Sequence, residues 1–315
     1  MLLGDRRIDL GSWRERFERD AESIDWEKFE AHVNPDHLPH PVIIDCTASS
    51  AIAARYGDWL RRGIHVITPN KKALSDTYAY YQELIGNSRD GSAHYLYETT
   101  VGAALPVITT LRDLIDTGDE IHTIEGIFSG TLAYLFNVYD GSVPFSEIVR
   151  SAKESGYTEP DPRDDLSGMD VARKLTILAR ENNMPLEIGE FPVENLVPEH
   201  LQNVSVNEFL DRLGEIDDDI ARRVDAAAKA NRKLRYVAKL DRSGAASVGL
   251  VEVDAEHPFS NINLTDNIVQ FQTARYSANP LVIQGPGAGP EVTAGGVFGD
   301  LLRLAKYLSA GAWND

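Results

Sequence analysis

The feature that most constrains this chain is the succession of strand and helix patterns between Pro41 and Thr117. PVIIDC reads as a short apolar strand, AIAARYGDWL as a helix, and HVIT from His65 as a second strand. A helix from Lys72 to about Gly86, the strand HYLYE and a helix over Ala104–Thr117 follow. Strands that alternate with helices at this spacing are joined by crossovers, and a crossover returns the chain parallel to itself. An α/β layer is therefore expected. One or two amphipathic helices precede it within 12–33, opened by the capping box Ser12-x-x-Glu15 and carrying Trp13, Phe17, Trp26 and Phe29.

The second half has a different texture. EIHTIEGIF predicts a long strand over Glu120–Phe128, and Gly130 turns the chain into the helix TLAYLFNVY. Helices are expected at 145–155, 168–183 and 206–230, the last from a second capping box, Ser205-x-x-Glu208. KLRYVAKL, SVGLVEV, IVQFQTARY and LVIQG then alternate in the strand period with short turns between them, so they should pair antiparallel. A glycine-rich loop, Gly285–Gly289, and a helix over about Val292–Leu308 close the chain. Nothing before Pro41 fits the strand–GxGxxG–helix with which dinucleotide-binding sheets usually begin. GPGAG at 285–289 follows a strand, but Pro290 stands where the third glycine belongs, so by itself it reads as a tight turn.

Charge excludes several classes of partner. With 31 Lys and Arg against 49 Asp and Glu, the net charge is −18, which repels nucleic-acid phosphates and anionic membranes. No apolar run approaches the ~20 residues of a membrane span. MLLGDRRIDL meets acid and arginine too early for a signal peptide. The single cysteine, Cys46, cannot form an internal bridge, so a reducing cytoplasm is expected. His32, His37 and His40 are close enough to suggest a metal, but acids at ligand spacing are missing, and a surface loop is the reading.

The densest polar stretch runs from Tyr157 to Lys174, YTEPDPRDDLSGMDVARK. Pro160 and Pro162 stiffen it and hold Glu159 and Asp161 extended. Ser167 is expected to cap a helix, with Asp170 at the capping-box position and Lys174 four residues beyond, on the same face. One reading is a rigid solvated loop feeding a helix with an ordinary ion pair. The other places Glu159 and Asp170 around a substrate ammonium and Lys174 at its hydroxyl. A lysine does acid–base work near neutrality only when burial or a neighbouring cation depresses its pKa. Lys71 and Lys72, at the C-terminal edge of a parallel strand where such sheets bind ligands, are candidate neighbours. ETTVGAALP over Glu98–Pro106 also follows a strand, and its carbonyls could hold a monovalent cation or merely form a turn. The hydroxyls of Asp45-Cys-Thr47-Ala-Ser49 could face a ligand or cap a helix.

Together, TPNKKALS, YETTVGAALPVI, EGIFSGTLAYLFN, GYTEPDPRDDLSGMDVARKLTILAR and QGPGAGPEVTAGGVFGDLLR resemble homoserine dehydrogenases, in order and spacing, from about residue 41 to about 308. The resemblance implies an incomplete Rossmann-like parallel sheet with an α+β substrate and dimerisation domain whose sheet is largely antiparallel. It divides the chain into a partial dinucleotide-binding domain (1–117), a substrate-binding and dimerisation domain (118–284), and a loop and helix returning to the first (285–315). It implies interconversion of L-homoserine and L-aspartate 4-semialdehyde by hydride transfer with NADP or NAD, on the way to threonine and methionine. By resemblance, Lys174 is the acid–base residue, Glu159 and Asp170 hold substrate, and Asp165 is a further acidic wall. Thr47, Lys71, Gly156 and Gly289 match positions at the cofactor. The carbonyls of Glu98, Val101, Ala103 and Leu105 match a structural sodium site, with Ala104 where many relatives have glycine. A homodimer pairing through strands between about 234 and 275 is implied.

The resemblance also implies that Met1 aligns after the family's glycine-rich βαβ unit. The pyrophosphate cradle and the residue that selects NAD or NADP are then expected to be missing. No aspartokinase or regulatory segment is recognised. Two functions follow: a homoserine dehydrogenase, or a non-catalytic homoserine-binding or dimerising remnant.

Overall fold

A computed structural model describes residues 1–4, 7–34, 38–90 and 93–311. Two short helices come first, α1 (Trp13–Asp20) and α2 (Trp26–Val33). Asp25 caps α2 through Lys28 N–H, but the capping box at Ser12 does not form: the Ser12 hydroxyl donates to Asp9 instead, 2.8 Å away. His37 lies outside the described residues. Among those described, no group of three His, Cys, Asp or Glu side chains could hold a metal.

The parallel layer is built as its alternation requires. β1 (Val42–Ile44) is followed by α3 (Ser50–Ala53) and α4 (Tyr56–Arg61), then β2 (His65–Ile67), α5 (Tyr78–Asp90), β3 (Tyr95–Leu96) and α6 (Val107–Asp116). The strands pair parallel in the order β1-β2-β3. Central β2 is buried at every position, which accounts for its continuous apolar run. Tyr56, Trp59 and Leu60 of α4 fill the space beneath it. The helix expected from Lys72 begins only at Tyr78. The Asn70 side chain accepts Lys72 N–H at 3.0 Å and holds the preceding residues in turns at the sheet's C-terminal edge.

The second layer is a five-stranded antiparallel sheet in the order β6-β5-β4-β7-β8. Its strands are β4 (Ile121–Ile127), β5 (Arg232–Asp241), β6 (Ala246–Asp254), β7 (Asp266–Thr273) and β8 (Leu281–Pro286). Between β4 and β5 run α7 (Gly130–Val138), α8 (Phe145–Glu154), α9 (Pro162–Leu166), α10 (Met169–Glu181), α11 (Val206–Arg212) and α12 (Asp217–Lys229). The single helix expected over 206–230 is broken by a 3-10 turn at Leu213–Ile216, where Leu213 and Ile216 turn into the core beside Gly214. Ser205 caps α11 through Glu208 N–H, as its box requires. The last helix, α13 (Pro290–Gly311), lays Val297 and Leu304 on Ile67 and Leu96 of the parallel sheet. No helix among the described residues is long and apolar enough to cross a membrane.

Candidate active site

Lys174 sits in the second turn of α10 and is 8 % exposed. Its Nζ donates to the Phe128 carbonyl at 2.6 Å and meets Asp170 Oδ2 at 2.8 Å, the i,i+4 pair read from the sequence. Phe128 directly follows β4, so the sheet supplies one anchor of the amine and the helix supplies the other. Asp170's second oxygen lies 3.3 Å from Lys71 Nζ, on the turns after β2.

This arrangement shifts charges in opposite directions. Burial pushes the Lys174 ammonium toward its neutral form; Asp170 opposes that and Lys71 adds to it, for a net depression. Desolvation alone would raise Asp170, but the two ammonium groups outweigh it and hold its carboxyl far below the usual range. Asp165 is raised by burial, although Thr131 Oγ1 and Glu159 N–H each donate to it at 2.8 Å. Lys72 is lowered by burial, then by Arg173 and Lys71.

Lys174 and Asp170 stand where two cavities join. The larger, about 710 Å³, is bounded by Thr47, Asn70, Lys71, Lys72, Thr99 and Arg173. The smaller, about 410 Å³, is bounded by Phe128, Thr131, Gly156, Tyr157 and Thr265. Glu159, Asp165 and the loop Gly287–Gly289 line both. Thus Lys174, Asp170, Glu159, Asp165, Lys71, Thr47, Gly156, Gly289 and Ala103 meet at one cleft, with Gly156 on the smaller cavity. Glu98, Val101 and Leu105 line neither. The Glu98 carboxylate is buried and accepts Ile108 N–H at 2.8 Å and Thr109 N–H at 2.9 Å, closing the first turn of α6. The Glu98 and Leu105 carbonyls accept the N–H groups of Val101 and Val107. The left-handed residues of that loop are Gly102 and Ala103, while Ala104 is not among the positive-φ residues.

The local fold explains these placements and corrects one expectation, the cap at Ser167. Asp161 caps α9 through Arg163 N–H at 3.0 Å, with Pro162 at the first helical position, so it is structural. The Arg163 guanidinium pins the loop further, to the carbonyls of Leu201, Gln202 and Val204. Ser167 does not cap α10. That place is taken by Gly168 in the left-handed conformation, and Asp170 is thereby free to face the lysines rather than the helix N-terminus.

Three contributors were not apparent in the sequence. The Asp45 carboxylate, buried at the end of β1, accepts from Tyr56 Oη, Asn70 Nδ2 at 3.0 Å and Thr47 N–H at 2.8 Å, tying both cleft loops to the sheet. Its only signal was a polar residue ending an apolar strand. The Phe128 carbonyl and Asn267, whose Nδ2 donates to that carbonyl, had none, since only tertiary pairing brings the carbonyl to Lys174.

The donor set suits a dinucleotide. Lys71, Lys72 and Arg173 give the larger cavity cationic groups for phosphate, and Thr47, Thr99 and Thr293 give it hydroxyls. A neighbouring apolar groove of about 630 Å³, bounded by Ile44, Pro69, Pro290, Val297, Phe298 and Leu301, suits a flat ring. Both open at the C-terminal edge of the parallel strands.

Comparison with known proteins agrees. The family model for homoserine dehydrogenase matches residues 106–302, and that for the homoserine dehydrogenase NAD-binding domain matches residues 1–98. The chain is 51% identical to maize bifunctional aspartokinase/homoserine dehydrogenase 2, over 98% of this chain and 34% of that protein, so it spans about a third of that relative's length. It is 43% identical to the homoserine dehydrogenase of Schizosaccharomyces pombe, over 96% of this chain and 82% of that one. A Candida auris crystal structure of a protein of unknown function superposes with a TM-score of 0.88 at 40% identity, covering 95% of this chain and 85% of that one. With both layers of the fold and the lysine-centred cleft in place, this chain belongs to the homoserine dehydrogenase family.

Proposed function

We propose that the cleft oxidises L-homoserine to L-aspartate 4-semialdehyde with NADP or NAD, reversibly, as a step toward threonine and methionine. The observation that carries this reading is the position of Lys174 Nζ, buried between Phe128 O and Asp170 at the junction of two cavities. A neutral amine has two N–H groups. With the Phe128 carbonyl and Asp170 accepting both, its lone pair is left for the substrate hydroxyl. Lys174 takes that proton in oxidation, and as ammonium it returns a third N–H to the carbonyl oxygen in reduction. When bound, the nicotinamide supplies the hydride acceptor or donor. Glu159 and Asp170 hold the substrate ammonium, with Asp165 behind them. Thr47, Lys71, Gly156 and Gly289 hold the cofactor.

The same reading keeps the carbonyls of Glu98, Val101, Ala103 and Leu105 as a structural sodium site. It also keeps the division at 117 and 284, a homodimer through the antiparallel sheet, and a cytoplasmic location. The test is homoserine-dependent reduction of NADP and of NAD by the purified chain, with Lys174→Ala beside it. Turnover that disappears in the variant supports the reading. No turnover, or turnover that survives in Lys174→Ala, overturns it.

A further inference from the structure

The Phe128 carbonyl that anchors Lys174 has a second donor. Asn267, the second residue of β7, places Nδ2 3.2 Å from the same oxygen and is 1 % exposed. Register brings it there: β7 pairs with β4 up to Ile127↔Ile268 on one side and with β8 at Asn267↔Gly285 on the other. Asn267 also supports the cleft wall. A Cβ on Gly287, which lines both cavities, would fall 2.1 Å from Asn267 Cγ and Nδ2, so the amide lies directly on that glycine. The other end of the amide, Oδ1, is buried with no hydrogen-bond partner among the described residues. An unsatisfied buried acceptor costs stability, so a residue kept only for stability would be a poor choice here.

We propose that Asn267 is a positioning residue for the proton transfer: its amide occupies one lone pair of the Phe128 carbonyl and leaves the other aimed at Lys174 Nζ. Two donors on one carbonyl compete, because each reduces what the oxygen offers the other. The neutral amide of Asn267 therefore weakens the anchor specifically for the ammonium form of Lys174, which needs a strong acceptor more than the free amine does. It works alongside the charges that face Lys174: Asp170 from its own helix, Lys71 from the turns after β2, and Asp165 from α9. Glu159, Lys72, Asp164 and Arg173 stand farther along the same cavities. From the β4 and β7 side come the Phe128 carbonyl, just after β4, and the Asn267 amide. The inference rests on Lys174 being the base of the proposed reaction.

The experiment reads Lys174 directly, with neither substrate nor cofactor present. Trace labelling of the full chain with acetic anhydride across pH, quantified on the Lys174 peptide by mass spectrometry, gives the pH at which half of that amine is free. Asn267→Leu removes the donor and keeps bulk beside Gly287; Asn267→Ala removes it and leaves space. Both should raise the half-labelling pH by about half a unit to one unit, a threefold to tenfold gain in proton affinity, while exposed Lys229 stays unchanged. A midpoint that stays at the wild-type value in a folded variant overturns the proposal. So does failure of both variants to fold, which would assign Asn267 to the fold alone. Homoserine oxidation that survives in Lys174→Ala would remove the reaction while leaving the labelling result to stand or fall separately.

Discussion

Lys71 Nζ lies 3.3 Å from Asp170 Oδ1, so a lysine from the end of the parallel sheet and a carboxylate from the start of α10 meet over the cleft. Asp170 is also the counter-ion of Lys174, which makes one carboxylate serve two lysines. Each partner then has a signed effect on the base. Lys71→Met removes a repelling cation and raises the proton affinity of Lys174; Asp170→Asn removes an attracting anion and lowers it. In the proposed oxidation the free amine of Lys174 is the active form. The acidic limb of kcat/KM against pH should therefore move up in Lys71→Met and down in Asp170→Asn, each by about half a unit to one unit. Movement of both limbs in the same direction would refute the shared counter-ion.

Acid stability should depend on a histidine far from the chemistry. His65 is buried at the start of β2, where its Nδ1 accepts His94 N–H at 2.8 Å and its ring stacks on His94 at 5.4 Å. Burial, then His94 and His40, depress its pKa from 6.5 to about 4. The unfolded chain therefore takes up the proton first as pH falls. This contribution is full above about 6.5 and is lost progressively down to about 4, on the order of 3 kcal/mol across the window. Urea unfolding at about pH 7.5 and about pH 5 should show a large difference for the wild type and a smaller one for His65→Leu. An equal difference in both proteins would show that His65 is not the group responsible.

Asp45 gives a test of how the proposed cofactor side is held. Tyr56→Phe removes one of three donors to its buried carboxylate, together with a contact to Thr68 Oγ1 at 3.2 Å. The expected cost is about 1–3 kcal/mol in unfolding free energy. Because Asp45 orders Thr47 and Asn70 but does not touch Lys174, cofactor KM should rise several-fold while kcat changes little. A fall in kcat with unchanged cofactor KM would contradict that separation.

How far the sequence could carry the reading depended on whether a feature was local. β2 was visible because a fully buried parallel strand is an apolar run, and α10 because Asp170 and Lys174 are one turn apart on one face. The capping box at Ser12 misled because a residue just before it, Asp9, competes for the hydroxyl. The helix start at Lys72 misled because Asn70 folds back on the chain after β2. Asn267 in β7 and the Phe128 carbonyl just after β4 are separated by most of the second domain, and only the register of β4 with β7 brings them together. A backbone carbonyl has no residue type to betray it.

The last prediction concerns the glycine that starts α10. Gly168 holds φ +71°, and a Cβ there would lie 1.9 Å from the hydroxyl of Tyr236, which itself donates to the Glu194 carbonyl at 2.5 Å. Gly168→Ala thus combines backbone strain with a steric clash against a buried ring, and should cost about 3 kcal/mol in unfolding free energy. Asp170 is two residues on, so any shift that relieves the clash moves the counter-ion of both lysines, and kcat/KM should fall with stability. Tyr236→Phe removes the nearest atom of the obstruction. In that background the penalty of Gly168→Ala should shrink by about 1 kcal/mol or more, a coupling readable in a double-mutant cycle of thermal unfolding. If the two substitutions add without coupling, the clash is not the source of the loss, and the left-handed conformation alone accounts for the glycine.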